Sequence, residues 1–212
     1  MRRGKFIAFE GGEGMGKSTQ ARLLAEKLGQ HGIETVLTRE PGGTPGAEAI
    51  RELLLHPPGE GWAKEAEALL FAAARSDHVT HKILPALAAG TWVICDRFLD
   101  SSRAYQGVAG GLGDDKVRTL HQMGSNGLVP DLTIVIEAPV SKVAERLAQR
   151  DGDHSDAIGG RAATYHAAVN AAFLDFAKQE PGRFLVVDGE GSIEKVHDRI
   201  LAAVEGFFGE LE

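Results

Sequence analysis

KFIAFEGGEGMGKSTQ, residues 5–20, decides how the chain is read. Phe6, Ile7, Ala8 and Phe9 form a short apolar run of the kind a buried strand shows. Gly11 to Ser18 then spell G-x-x-x-x-G-K-S. After Ser18 the pattern becomes helical, with Ala21, Leu24, Ala25 and Leu28 on one face. Strand, glycine loop and helix in that order are the setting a phosphate-binding loop requires. Glycines let the backbone wrap an anion with its N–H groups pointing inward, and the helix N-terminus adds partial positive charge. Lys17 is placed to reach the β- and γ-phosphates of a nucleotide, and the Ser18 hydroxyl to ligate Mg²⁺. The donor-nucleotide site is therefore read as Gly11, Gly12, Glu13, Gly14, Met15, Gly16, Lys17, Ser18 and Thr19.

Working outward, 212 residues suffice for one sizeable α/β core, read here as a single domain. A net charge of −7 excludes an overall basic field for nucleic acid, so an anionic ligand must be held by local arginines. The single cysteine, Cys95, sits in an apolar run; it suits a reducing compartment and a packing role. The N-terminal apolar stretch is too short for a secretion signal, and no segment is long enough to span a membrane. A cytoplasmic protein without nucleic-acid or membrane partners is expected.

Further strands are predicted at Ile33–Leu37, Thr91–Cys95, Leu132–Ile136 and Phe184–Val187, following a first strand at Lys5–Phe9. Helices are predicted near 45–55, 63–88, 114–123, 141–150, 161–178 and 192–208, with Pro85 starting or bending a turn inside the third. Strands alternating with helices argue for a five-stranded parallel sheet covered by helices on both faces. Active sites of such sheets lie at the carboxyl ends of the strands. Polar residues gather there: Arg39, Glu40 and Pro41 after strand two, and Asp96, Arg97, Ser101, Ser102, Arg103, Tyr105 and Gln106 after strand three.

A guanine-reading N-K-x-D motif is absent, which counts against a switch GTPase. Instead the chain carries Arg51, Arg75, Arg97 and Arg103 beside Phe71, Phe98 and Tyr105. Guanidinium groups pair with phosphate in fork geometry, and an aromatic face stacks on a base for roughly 1–3 kcal/mol. Phe71 and Arg75, four residues apart, share a helix face. Together these suggest a second nucleotide, a monophosphate, facing the loop nucleotide. Each residue also has an ordinary structural use: Phe71 in a packed helix face, Arg75 in an ion pair, Tyr105 in packing. His78 and His81 are read as lying on a solvated helix face.

The motifs F-E-G-x-E-G-x-G-K-S at 9–18, R-E-P-G-G-T at 39–44, L-F-A-A-A-R at 70–75, D-R-x-x-x-S-x-x-A-Y-Q at 96–106 and N-G-L-x-P-D-L-T at 126–133 resemble the bacterial thymidylate kinase family. The resemblance runs through nearly the whole chain in family order. It implies a P-loop kinase fold, usually a homodimer, that uses ATP and Mg²⁺ to phosphorylate thymidine 5′-monophosphate (dTMP). It further implies that Phe71 stacks on thymine, Arg75 bonds the base edge, and Arg97 holds the acceptor phosphate with Arg51. Glu13 falls near the sugar 3′-hydroxyl and metal, and Tyr105 crowds the 2′ position. Ser101 and Gln106 contact the nucleotide, with Glu40, Pro41 and Ser102 in the same site. Asp96 orients Mg²⁺ or its waters.

The pattern departs at 150–165, where the family has a flexible lid. Asp156–Ala157 stands where the family's Asp-Arg is expected, and the later acid is also missing. Arg150 and Arg161 remain as replacements for the lid arginine, with Arg161 preferred because Gly159 and Gly160 precede it. A transition-state arginine contributes about 10³–10⁵ in rate, so loss of Arg161 is expected to lower kcat with little effect on acceptor affinity.

Overall fold

The computed structural model describes residues 3–139 and 157–209. The helix expected at 141–150, with Arg150 and Asp156, lies outside the described residues. The elements run β1 (Phe6–Glu10), α1 (Lys17–Gln30), β2 (Thr35–Arg39), α2 (Pro45–Leu55), α3 (Lys64–His78), a π-helical turn (Val79–Ile83) and α4 (Leu84–Ala88). They continue with β3 (Trp92–Asp96), α5 (Leu99–Ser102), a π-helix (Arg103–Ala109), α6 (Asp114–Ser125), β4 (Leu132–Glu137), α7 (Ala163–Gln179), β5 (Phe184–Asp188) and α8 (Ile193–Phe208). The five strands form one parallel sheet in the order β2-β3-β1-β4-β5.

Alternation along the strands sends side chains to opposite faces. Ile7, Phe9, Ile94, Ile134 and Ile136 pack with Leu24 and Leu28 of α1 and Val196, Ile200 and Val204 of α8. Phe6, Ala8, Val93 and Cys95 face the other way, against Ala68 of α3, Ile83, Leu87 of α4 and Val117 of α6. Cys95 is fully buried, a free thiol in the packed layer. A third cluster joins Val135 and Phe184 to Phe173 and Phe176 of α7.

The strands differ from the sequence expectation mainly at their carboxyl ends, which extend to Glu10, Arg39, Asp96, Glu137 and Asp188. Apolar runs under-read these ends because the last residue of each strand is charged. β2 starts two residues later than predicted. The Ile33 N–H closes the end of α1 by donating to the Leu28 carbonyl, after Gly32 turns the chain at φ +75°. The predicted helix 63–88 is interrupted by the π turn at 79–83. Pro85 has no N–H to offer the preceding turn and its ring crowds the backbone there, so the helix widens before restarting as α4. Among the described residues, no helix is long and apolar enough to cross a membrane.

Candidate active site

The carboxyl ends of β1 and β3 meet at a cleft of about 590 Å³, lined by the glycine loop, α2, α3 and the segment after β3. The loop's shape follows from its glycines. Gly11, Gly14 and Gly16 all have positive φ, at +129°, +70° and +87°. A Cβ on Gly11 would sit 2.6 Å from the Ile136 carbonyl oxygen of β4, so the loop runs hard against the neighbouring strand. Lys17, the first residue of α1, is buried and donates to the Gly12 carbonyl at 2.6 Å. Burial, and then the positive charge of Arg97, bring its ammonium down to about 8. A phosphate supplied there would meet a cation with little water to displace.

Ser18 donates to Asp96, the last residue of β3. The other Asp96 oxygen, Oδ1, is buried and has no hydrogen-bond partner among the described residues. No three His, Cys, Asp or Glu side chains group to hold a metal by themselves among the described residues. A hydroxyl and a carboxylate with one unpartnered oxygen beside a phosphate loop suit Mg²⁺, which takes few protein oxygens and completes its octahedron with phosphates and water. Ser18 and Asp96 therefore fit the ion.

Arg97 follows Asp96 with φ +68°, a left-handed conformation unusual outside glycine. The turn carries its guanidinium back over the loop, where it donates to Glu13 at 2.6 Å, Gly11 O at 3.1 Å, Ser101 Oγ at 3.0 Å and Tyr105 Oη at 3.3 Å. Burial works against its charge, but the charges of Tyr105, Glu13, Asp96 and Glu10 outweigh burial and raise its pKa. Arg97 is a permanent cation between the loop and Tyr105.

Across the cleft, Phe71 and Arg75 line the wall from one face of α3. Arg75 is buried and donates to Glu40 at 2.7 Å, Ser102 Oγ at 2.8 Å and Phe98 O at 3.3 Å. Arg51 reaches over from α2, bonding Pro41 O at 2.7 Å. Glu13, Gly14, Gly16, Lys17, Ser18, Thr19, Glu40, Pro41, Asp96, Arg97, Ser101, Ser102, Tyr105 and Gln106 all line this cleft as well. The two halves expected from the sequence thus face each other. Gly11, Gly12 and Met15 lie in the loop without lining the cleft; Met15 is packed under it in the core. Arg161 also lies off the lining, bonded to Glu67 and Tyr165 at 2.5 Å each.

Two expectations are corrected. Arg103 is not available to phosphate: it is 1% exposed and held by Asp100, Asp114 and Glu180. It faces away from the cleft because the π-helix packs it over the Phe176 ring at 3.9 Å. His78 is not solvated. It is fully buried between Thr38 Oγ1 at 2.8 Å and Glu40 at 3.0 Å, whereas His81 is exposed as expected.

Residues 9–200 match the family model for thymidylate kinase. The chain belongs to the thymidylate kinase family. It is a phosphotransferase of that family, 51% identical over 201 residues to the thymidylate kinase of Rhizorhabdus wittichii, with 95% of this chain and 97% of that one covered. With the thymidylate kinase of Rhodopseudomonas palustris it shares 50% identity over 205 residues, covering 95% and 89%. The crystal structure of thymidylate kinase from Ehrlichia chaffeensis superposes with a TM-score of 0.75 at 32% identity, covering 95% of this chain and 99% of that one.

The motif reading of this family member missed Glu10. It is fully buried at the end of β1 and accepts from Phe98 N at 2.9 Å, Ser101 N at 3.0 Å and Ser101 Oγ at 2.6 Å. It therefore anchors the start of α5 and, through Ser101, the Arg97 guanidinium. Burial, and then the negative charge of Asp100, push its carboxyl up to about 7. The signal available was a carboxylate closing an apolar strand immediately before the glycine loop.

Proposed function

We propose that the chain is a cytoplasmic dTMP kinase that moves the γ-phosphoryl group of ATP to the acceptor phosphate, giving dTDP and ADP. One observation carries this: the phosphate loop with Lys17, Ser18 and Asp96 shares a single cleft with the acceptor wall of Phe71, Arg75, Arg97 and Tyr105. In this reading the loop amides and Lys17 hold the donor phosphates. Phe71 stacks on the base, Arg75 bonds its edge from a guanidinium already oriented by Glu40 and Ser102, and Tyr105 crowds the 2′ position. Arg97 and Arg51 bring the acceptor phosphate in line with the γ-phosphorus, and Glu13 keeps Arg97 in place until the acceptor arrives. Ser18 and Asp96 would hold Mg²⁺ together with the nucleotide, and the ion would supply neutralisation of the phosphate charge. The rest of the rate comes from positioning and from Lys17 and Arg97 facing the charge that develops on the transferred group. No general base is needed, since the acceptor phosphate arrives ionised.

A coupled assay of ADP release with ATP–Mg²⁺ and dTMP, dUMP, UMP, AMP or GMP tests the substrate. Turnover should be selective for dTMP. The missing methyl of dUMP is worth about 1–3 kcal/mol, so dUMP should be slower by about 10- to 200-fold. Preference for another acceptor would overturn the assignment. A homodimer is proposed as well, because Leu69 on α3 and Met123 on α6 are exposed apolar residues at 52% and 78%. Light scattering that gives a monomer mass would contradict it.

A further inference from the structure

Glu67 stands on α3 one helical turn before Phe71 and two before Arg75, so the three share a face. It meets the cleft indirectly. One carboxylate oxygen accepts from Gln106 Nε2 at 2.8 Å, and the other accepts from the Arg161 guanidinium at 2.5 Å. Arg161 also donates to Tyr165 Oη at 2.5 Å and lies over its ring at 4.7 Å. Tyr165 passes the link on: its hydroxyl donates to the Tyr105 carbonyl at 2.6 Å, and the two rings meet edge to face at 6.1 Å. Two routes therefore run from Arg161 into the acceptor wall, through Glu67 to Gln106 and through Tyr165 to Tyr105. Just before Arg161, Ile158 lines the cleft itself.

The Glu67 and Arg161 side chains are 14% and 26% exposed, so their pair is poorly screened by water. Burial opposes the Arg161 charge, but Glu67 and Tyr165 outweigh it. Among the described residues, the polar contacts of the Arg161 side chain thus run to Glu67 of α3 and Tyr165 of α7, on the acceptor side, and not to the glycine loop.

We propose that Glu67 and Arg161 are positioning residues that latch residues 158–165 onto the acceptor wall, setting affinity for the monophosphate through Gln106 and Tyr105. This rests on the dTMP kinase reading above, and it differs from the resemblance, which casts Arg161 as a transition-state cation. The test is steady-state kinetics with dTMP varied at saturating ATP–Mg²⁺ for wild type, Glu67→Gln, Arg161→Gln, the double variant, and the exchange pair Glu67→Arg with Arg161→Glu. Each single variant should raise KM for dTMP about tenfold, as for loss of one charge-assisted hydrogen bond, with kcat within about twofold of wild type. The double variant should be no worse than either single, and the exchange pair should recover part of the loss. A fall in kcat with KM unchanged, or additive losses, would overturn the latch. Hydrogen exchange of the amides at 159–165 without nucleotide gives a readout that does not depend on the acceptor. It should quicken in Glu67→Gln, and unchanged exchange would overturn the latch even if wild type turns over another monophosphate. If wild type leaves dTMP untouched, the substrate reading fails, and the exchange result still decides the latch.

Discussion

Replacing Glu10 with Gln should flatten the dependence of stability on pH between about 4.5 and 7. The carboxyl ordinarily titrates at 4.5 and is pushed up to about 7 in the folded chain, first by burial and then by Asp100. Because the folded value is the higher one, Glu10 contributes its full stability below pH 4.5. That contribution is lost as pH rises through about 7, when the unfolded chain releases a proton the folded chain still holds. At about 1.4 kcal/mol per pH unit, the gap is worth roughly 3 kcal/mol, a large share of the 5–15 kcal/mol (roughly) that holds an ordinary domain together. Gln keeps the shape of the site. Its carbonyl can accept from the Phe98 and Ser101 N–H groups, and its amide faces Ser101 Oγ, which then accepts instead of donating. The assay is urea unfolding of both proteins at intervals from about pH 4.5 to 8. The stability of wild type relative to the variant should fall by about 3 kcal/mol across that window. Parallel curves would refute the argument that Glu10 is held as the acid at the edge of the glycine loop.

Glu40→Gln should destabilise the fold by about 3–5 kcal/mol in urea unfolding, because it leaves Arg75 charged and buried without its counter-ion. The Glu40 carboxyl is depressed in the fold because Arg75 and His78 outweigh burial. Its contribution is therefore present above pH 4.5 and lost as pH falls below it, and acid titration of the wild type should show that loss. Gly11→Ala should cost far more stability and ATP binding than Gly12→Ala, as measured by thermal unfolding and nucleotide titration. At Gly11 the new methyl meets the Ile136 backbone at 2.6 Å with φ +129°, whereas at Gly12 it meets only the end of the Asn170 side chain at 2.6 Å.

The glycine loop, the parallel sheet and the Phe71–Arg75 wall were legible because each rests on local spacing: a fixed motif, an apolar run, or residues four apart on a helix. What was not legible depends on which strands become neighbours. Glu10 is buried because β1 lies between β3 and β4, an order no single segment encodes. His78 looked solvated because its partners, Thr38 and Glu40, are some forty residues away along the chain. Arg103 and Arg97 look alike in sequence, six residues apart in one polar stretch. Only the left-handed turn at Arg97 and the π-helix after Ser102 send one into the cleft and bury the other against Phe176. Glu67 was invisible because its importance lies in Gln106 and Arg161, brought together by the packing of α7 on the π-helix.

In the proposed function, one cleft brings a donor and an acceptor phosphate together for direct transfer. The most direct test is to resolve the products of ATP–Mg²⁺ and dTMP by chromatography and follow ADP, dTDP and inorganic phosphate together. dTDP and ADP should appear in equal amounts while phosphate stays at background, and ADP formation should stop when dTMP is left out. ADP and phosphate accumulating without dTDP would contradict direct transfer, for the cleft would then deliver the phosphoryl group to water.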